Sequence, residues 1–506
     1  MPVCIYYAFI QPQIQGRLWL VDRSHASYSW AMKTLDSTIC RQARLSRDPR
    51  FDGEFFLAVT TTGIYCRPVC PARPPLERNV RYYRTAAEAA QQGFRPCLRC
   101  RPESAPQSPA WRGTTTTTER GLKLIGEGYL NQHSLSQLAA RLGVGERYLR
   151  KLFQQKLGVA PSVIAQTQRL HFAQKLLLET DLSITEIAHA SGFGSLRRFN
   201  SASRAAFGCA PGALRRTRKT SKVAGGFLLE LSYRPPYDWP GVLGFFRRHQ
   251  VAGMETVSDA GYQRNLRTAK GYAQIRVWPH ATKSALNLEL KLADNSELME
   301  VVATVRRMFD LDAQPADIGE ALATDPLLEP LLQACPGVRS PVVASVFEST
   351  IRAVLGQQVS IDAARKLCAK LIDLCDSAVE REGEQRPVFP LPQQVAQLPD
   401  AALPMPASRR RTVRAVSEYF TNRDDSDRQT ILTELGEISG IGPWTTGILA
   451  MRGFADPDSF PVNDLVLIKA FQRLEAIEKR QMSKRAEHWK PWRSYAANLL
   501  WRSYSQ

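Results

Sequence analysis

Several things are missing from the sequence, and each absence narrows what it can be. No apolar run in its 506 residues approaches the roughly 18 or more that a membrane-spanning helix needs, so no span is expected. Cysteine is sparse. Four of the ten are clustered and six are scattered, which excludes a disulfide framework and points to a reducing compartment. Residues 1–16 lack both a basic start and a long apolar stretch, so no secretory signal is expected. Acidic side chains are in deficit: 67 Lys+Arg minus 48 Asp+Glu gives +19. That excess favours a polyanionic partner, of which nucleic acid is the commonest, although a merely basic globular chain would show it too.

What is present falls into blocks. Residues 101–118, rich in Pro, Ser and Thr and including the threonine run 114–118, read as a linker. So do the basic stretch 215–226 and the proline-punctuated stretch 321–341. Between 119 and 218 the periodicity is helical. Leu138-Ala139 followed by Gly143-Val144 returns as Ile187-Ala188 followed by Gly192-Phe193, offset by 49 residues. From 227 to about 292, alternation at 273–277 and 285–292 predicts strands. From 342 onward the pattern is almost wholly helical.

Cys66 and Cys70 form C-x3-C, and Cys97 and Cys100 form C-x2-C, with 26 residues between the pairs. Four thiolates from two short turns suit one tetrahedral Zn²⁺. Spacing alone does not separate a structural zinc knuckle from a reactive one. The surrounding residues do. Asp52-Gly53-Glu54-Phe55, Thr61-Thr62-Gly63-Ile64-Tyr65-Cys66-Arg67-Pro68-Val69-Cys70 and Gly93-Phe94-Arg95-Pro96-Cys97-Leu98-Arg99-Cys100 closely resemble the N-terminal domain of the adaptive-response (Ada) proteins. The resemblance implies that Cys66, the first of the four zinc thiolates, accepts a methyl group from a methyl phosphotriester of the DNA backbone. It also places Thr62 and Arg73 near the phosphate; a turn residue and a solvated arginine are the plain alternatives.

Residues 134–157 read as helix, glycine turn, helix, with Ser134 as N-cap, and 183–207 repeat the plan. A linking helix is expected over 169–179. Two such motifs resemble the AraC-type DNA-binding domain. In each, the second helix would enter the major groove. The candidate readers are Arg147, Arg150 and Lys151 in the first motif, and Arg197, Arg198 and Asn200 in the second. A solvated basic face is the alternative.

Further on, Ser439-Gly440-Ile441-Gly442-Pro443-Trp444-Thr445-Thr446 is a glycine-rich turn opening a helix, suited to holding a phosphate on backbone amides. About twenty residues later comes Phe460-Pro461-Val462-Asn463-Asp464-Leu465. The pairing resembles the helix-hairpin-helix DNA glycosylases. Pro235-Pro236-Tyr237-Asp238-Trp239, Leu243-Gly244-Phe245, 351–357 and 489–495 look like the 3-methyladenine DNA glycosylase II branch. The resemblance gives Asp464 the catalytic role, with a helix N-cap as the plain alternative. It gives Gly440, Gly442 and Thr445 to DNA phosphate, and Trp444, Phe245 and Trp501 to the pocket that stacks an alkylated base. It also implies an alkali ion at the hairpin. Where lyase relatives carry a lysine, Trp444 stands, so base release without a Schiff base is expected. Two positions depart from the pattern: Ile448 replaces a pocket tyrosine, and Gln358 replaces the leucine wedge that fills the DNA gap. The Pro-Cys-His-Arg motif of O6-methylguanine acceptors is absent.

The expected fold is therefore multidomain and mainly α. Residues 1–40 are an unassigned extension, and 41–105 a small zinc and methyl-acceptor domain. Residues 119–218 carry two helix-turn-helix motifs. A small α+β domain with an antiparallel sheet spans 227–310, and an all-α helix-hairpin-helix glycosylase core spans 311–506. The implied function is alkylation repair coupled to its own transcriptional regulation. The implied setting is the bacterial cytoplasm at the nucleoid, with double-stranded DNA and RNA polymerase as partners, no membrane, and a monomer by default. One rival is a regulator whose glycosylase half only binds DNA. Another is an enzyme whose cysteine block is merely a structural anchor.

Overall fold

The computed structural model describes residues 37–47, 51, 55–83, 89, 92–97, 100, 113–215, 226–381, 384–399, 402–422, 428–475 and 479–505. Most of the 1–40 extension, Asp52-Gly53-Glu54, Leu98-Arg99 and much of two expected linkers (101–112 and 216–225) lie outside the described residues. The chain divides into two compact units, Met1–Gly113 and Thr114–Gln506.

The first unit is built on a four-stranded sheet ordered Val80–Tyr83, Phe56–Val59, Ile64–Cys66, Arg95–Pro96. The Phe56–Val59 strand, wholly buried, is antiparallel to both neighbours. The Ile64–Cys66 strand runs parallel to Arg95–Pro96. Helix Ser37–Ser46, which straddles the expected boundary at residue 40, buries Cys40 and Ala43 with Phe55. Its Arg44 is buried and bonded to Glu77, which also accepts from the Tyr82 hydroxyl at 2.8 Å.

In the second unit the threonine run 114–118 is not linker: it lies inside helix Gly113–Gly126. The two helix-turn-helix motifs come next. Helix Leu135–Arg141 is opened by a capping box of Ser134 with Gln137, and helix Ile184–Ala190 by one of Ser183 with Glu186. Each box satisfies two otherwise unpaired end groups. Both turns use a left-handed glycine, Gly143 (φ 69°) and Gly192 (φ 78°). The second helices are Glu146–Leu157 and Leu196–Phe207. The repeat offset is 49 at the glycines (192 − 143) but 50 at the caps (195 − 145), because the second turn holds one more residue. The linking helix is longer than expected, Pro161–Glu179.

The linking helix and the second helix-turn-helix motif share their core with the strands that come after them, while the first motif has a core of its own around Leu138, Leu149 and Phe153. Leu176, Ile187 and Phe199 cluster with Leu229, Leu288 and Val302. The last three belong to a five-stranded antiparallel sheet and its covering helix, Leu298–Met308. The sheet order is Phe227–Ser232, Ala285–Leu292, Gly271–Pro279, Gly261–Thr268, Glu255–Ser258. Alternating leucines 286, 288 and 290 are fully buried, as period-2 patterning requires. Glu179 accepts the Glu230 backbone N–H at 2.9 Å, stitching the linking helix to the sheet edge.

The stretch 321–341 is not a linker either. It contains helix Glu329–Ala334, and its Leu322, Leu328 and Val338 pack with Leu467, Phe471 and Trp489. The proline punctuation marks turns in a packed core. Among the described residues, the rest of the chain is helical apart from one hairpin, Ala378–Arg381 with Glu384–Pro387. A buried ion cluster ties this core to the sheet: Arg264 to Glu348 at 2.9 Å and Arg352 to Glu255 at 3.0 Å. Among the described residues, no helix is long and apolar enough to cross a membrane.

Candidate functional site

In the first unit, Cys66 ends its strand, and Cys97 comes just after the parallel neighbour, donating its N–H to the Tyr65 carbonyl at 3.0 Å. Cys70 donates its N–H to the Arg67 carbonyl at 3.1 Å, and Arg67 N–H reaches Cys100 Sγ at 3.4 Å. All four sulfurs lie within 4.8 Å of one another. Tetrahedral Zn–S bonds of about 2.3 Å would place them about 3.8 Å apart, so the site fits the ion. The chemistry of the donors agrees. The neighbouring sulfurs of Cys100 and then Cys70, with burial, hold the Cys66 thiol well above its ordinary range. Four thiolates this close require a compensating cation. Thr62, in the turn before Ile64–Cys66, and Arg73 are both exposed.

On the two second helices, Arg147, Lys151, Arg197 and Arg198 are exposed and Asn200 is partly buried. Arg150 is exposed but held by Glu146 at 2.7 Å, one helical turn away. Leu149 and Phe153, and Phe199 in the second motif, face the core.

The third site is a cavity of about 1410 Å³. The glycine-rich turn forms one edge. Gly440 has φ 93°, and a Cβ there would meet Thr412 Oγ1 at 2.2 Å, so only glycine lets the turn close. Gly442 caps helix Pro443–Arg452, and Pro443 takes the first position, where no amide is needed. Both glycines are exposed, but Thr445 is buried and its hydroxyl accepts from Gln357 Nε2 at 3.0 Å. The Thr445 side chain thus braces the turn, while its backbone amide, in the first turn of the helix, has no intrahelical acceptor. Gln357 also donates to the Gly440 carbonyl at 2.7 Å. Next to it, Gln358 stands exposed in a left-handed conformation, φ 54°, at the cavity edge.

Asp464 sits in the cavity wall and is fixed by four N–H donors. As N-cap of helix Leu465–Leu474, its Oδ1 accepts from Val466 N at 3.0 Å and Leu467 N at 2.9 Å. The same oxygen accepts from Trp501 Nε1 at 3.0 Å, and Oδ2 from Trp444 Nε1 at 3.0 Å. The cap and the pocket carboxylate are therefore one residue. Phe245 and Ile448 line the same cavity. Asp456 and Asp458 are engaged elsewhere, with Arg428 and Arg493.

Three residues that sequence patterning passed over also line the cavity: Arg452, His249 and Gln357. Arg452 is buried, with its guanidinium 4.5 Å from the Phe245 ring centre and 5.2 Å from that of Trp501. Burial holds the His249 imidazole down at about 3. No local signal marks them: arginine is ordinarily read as surface.

Four family models match the chain: the metal binding domain of Ada over 39–103, a helix-turn-helix domain over 138–217, the AlkA N-terminal domain over 228–345, and the HhH-GPD superfamily base excision DNA repair protein over 351–494. The chain is 33% identical over 279 residues to DNA-3-methyladenine glycosylase 2 of Escherichia coli, covering 54% of this chain and 95% of that one. It is 36% identical over 149 residues to the bifunctional transcriptional activator/DNA repair enzyme Ada of the same organism, covering 29% of this chain and 41% of that one. It is 38% identical over 474 residues to the probable bifunctional transcriptional activator/DNA repair enzyme AlkA of Mycobacterium tuberculosis, covering 91% of this chain and 95% of that one. With a four-cysteine block, paired helix-turn-helix motifs and a carboxylate-bearing cavity in one polypeptide, this chain belongs to the family of AlkA-type bifunctional transcriptional activator/DNA repair enzymes.

Proposed function

We propose that this protein repairs alkylated DNA and regulates that repair. Its C-terminal half releases alkylated bases such as 3-methyladenine by hydrolysing the N-glycosidic bond. The carrying observation is Asp464, whose carboxylate is aimed into the cavity by the indole N–H groups of Trp444 and Trp501. A base methylated on a ring nitrogen is cationic and stacks on electron-rich aromatics, here Trp444, Phe245 and Trp501. As its bond to C1′ lengthens, positive charge grows on the sugar. The Asp464 carboxylate stabilises that charge and orients the attacking water. Gly440, Gly442 and the Thr445 amide hold a phosphate, and Gln358 enters the gap left by the flipped nucleotide. Because Trp444 stands where a Schiff-base lysine would, borohydride added during turnover should trap no covalent DNA adduct; a trapped adduct would contradict this route.

In the N-terminal block, Cys66 takes the methyl group of a phosphotriester. A sulfur–carbon bond forms, the carbon–oxygen bond breaks, and the phosphate keeps the electron pair. When bound, Zn²⁺ keeps the sulfurs as thiolates. Thr62 and Arg73 position the phosphate, and the loss of one negative charge at Cys66 strengthens binding to DNA. Arg147, Arg150, Lys151, Arg197, Arg198 and Asn200 contact a promoter, where the chain, as a monomer, engages RNA polymerase in the bacterial nucleoid. No step is assigned to an alkali ion at the hairpin, whose Ser439 and Gly440 carbonyls already accept from Thr412 and Gln357. Domains at 41–105, 119–218, 227–310 and 311–506 carry these tasks. Transfer to Cys66 is tested by peptide mass after exposure to methylated DNA; a methyl group elsewhere than Cys66 would overturn its assignment.

A further inference from the structure

The cavity wall contains a cation of its own. Arg452 is buried, and its guanidinium lies over two of the aromatic rings that line the space, Phe245 and Trp501. It donates to the Pro341 carbonyl at 2.6 Å and to Asn498 Oδ1 at 2.7 Å. Both acceptors are neutral, so the hydrogen bonds fix the charge in place without cancelling it. Burial lowers its pKa to about 9, with Arg248 adding to the effect and the Asp310 and Asp464 carboxylates opposing it, and it remains charged at neutral pH. A fixed positive charge beside a reacting base has opposite consequences for the two kinds of lesion.

We infer that Arg452 is a specificity-determining residue, one that promotes release of neutral lesion bases relative to cationic ones. The inference rests on the base-release reading above. In every case the C1′–N bond breaks and its electron pair stays with the base, while water oxygen bonds to C1′ and gives up a proton to solvent. A base that enters as a cation leaves neutral, so a nearby guanidinium opposes its entry by about as much as it favours the cleavage, and measured from free DNA the release gains nothing. A neutral base, such as hypoxanthine or an etheno-adenine, leaves with developing negative charge and takes a proton from solvent afterwards. There a preorganised, buried cation stabilises the transition state more than the ground state. Its contact with the ring faces acts in the same direction, since a ring already facing a cation offers a second cation less.

The test uses the full chain and two duplexes, one carrying hypoxanthine and one carrying 7-methylguanine, with single-turnover rates measured on the same preparation at protein concentrations well below saturation, so that base entry and cleavage both count. The ratio of the two rates is independent of how much protein is folded. Arg452→Met should lower the hypoxanthine-to-methylguanine ratio by about tenfold to a hundredfold. Arg452→Lys keeps a charge and should hold the ratio within about threefold of the original, which also covers the case in which the methionine variant does not fold. Equal loss on both lesions in Arg452→Met, or a tenfold fall in the ratio with Arg452→Lys, would overturn the inference. Failure of the unsubstituted chain to release either base would instead sink the base-release reading itself.

Discussion

Trp444 and Trp501 each serve two purposes, presenting a ring to the cavity and an N–H to Asp464. Replacing Trp444 by Phe keeps the ring and removes the donor. A hydrogen bond to a charged carboxylate contributes about 1.5–3 kcal/mol, so base release should fall by roughly tenfold to a hundredfold in single-turnover assays, with little change in DNA affinity. An unchanged rate would show that the indole N–H is not what aims the carboxylate. His249 gives a pH-dependent expectation. Its folded value, about 3, lies below the unfolded value of about 6.5, so on acidification the unfolded chain takes up a proton that the folded chain refuses. Stability from this group is therefore present above about 6.5 and lost as pH falls toward about 3. Between about pH 7 and 4.5, the unsubstituted protein should lose about 2 kcal/mol more than His249→Phe in denaturant titrations.

At the level of elements, the turns of the two helix-turn-helix motifs look alike in sequence but differ in what surrounds them. A Cβ on Gly143 would meet open space, whereas one on Gly192 would meet Asn131 at 2.2 Å. Asn131 in turn accepts from Arg169 Nε at 2.7 Å and donates to Met299 Sδ at 3.3 Å. Gly143→Ala should cost about 1–2 kcal/mol, the ordinary penalty of a left-handed alanine, and Gly192→Ala clearly more. Equal melting shifts would mean that Asn131 yields freely. Legibility in the sequence divides along the same line, between local and distant contacts. Ser134 and Ser183 announced their helices because capping is decided within four residues. The Asp464 motif was legible too, cap and pocket together. That Trp501, 37 residues away, reaches Asp464 came only from family likeness, since no periodicity encodes a tertiary contact. Burial of Arg452 and the packing of 321–341 had no local sign, because prolines and arginines are read as breakers and surface.

On the scale of the whole molecule, the linking helix and the second helix-turn-helix motif share one apolar core with the glycosylase-like sheet, through Leu176, Ile187 and Leu229 among others. Blocks that share a core melt together. On heating, sequence-specific DNA binding and base release should be lost over the same narrow range, and Leu176→Ala should lower both midpoints together after a cost of about 2–5 kcal/mol. Separate midpoints would argue for independent folding of the two blocks. The cysteine unit belongs to a different compact body. Stripping zinc should abolish methyl acceptance by Cys66 while leaving base release within about twofold.

Asp464 is at once helix cap and pocket carboxylate, and the two roles can be separated. Asparagine caps a helix as well as aspartate does, so Asp464→Asn should keep the helix Leu465–Leu474 and the fold while removing the charge. The decisive measurement is release of free 3-methyladenine from methylated duplex DNA by the two proteins side by side. The unsubstituted chain should release it rapidly and the variant at least about a hundredfold more slowly, with DNA binding retained. Equal release by both would remove Asp464 from the chemistry, and none from a folded, DNA-binding unsubstituted protein would remove base release itself.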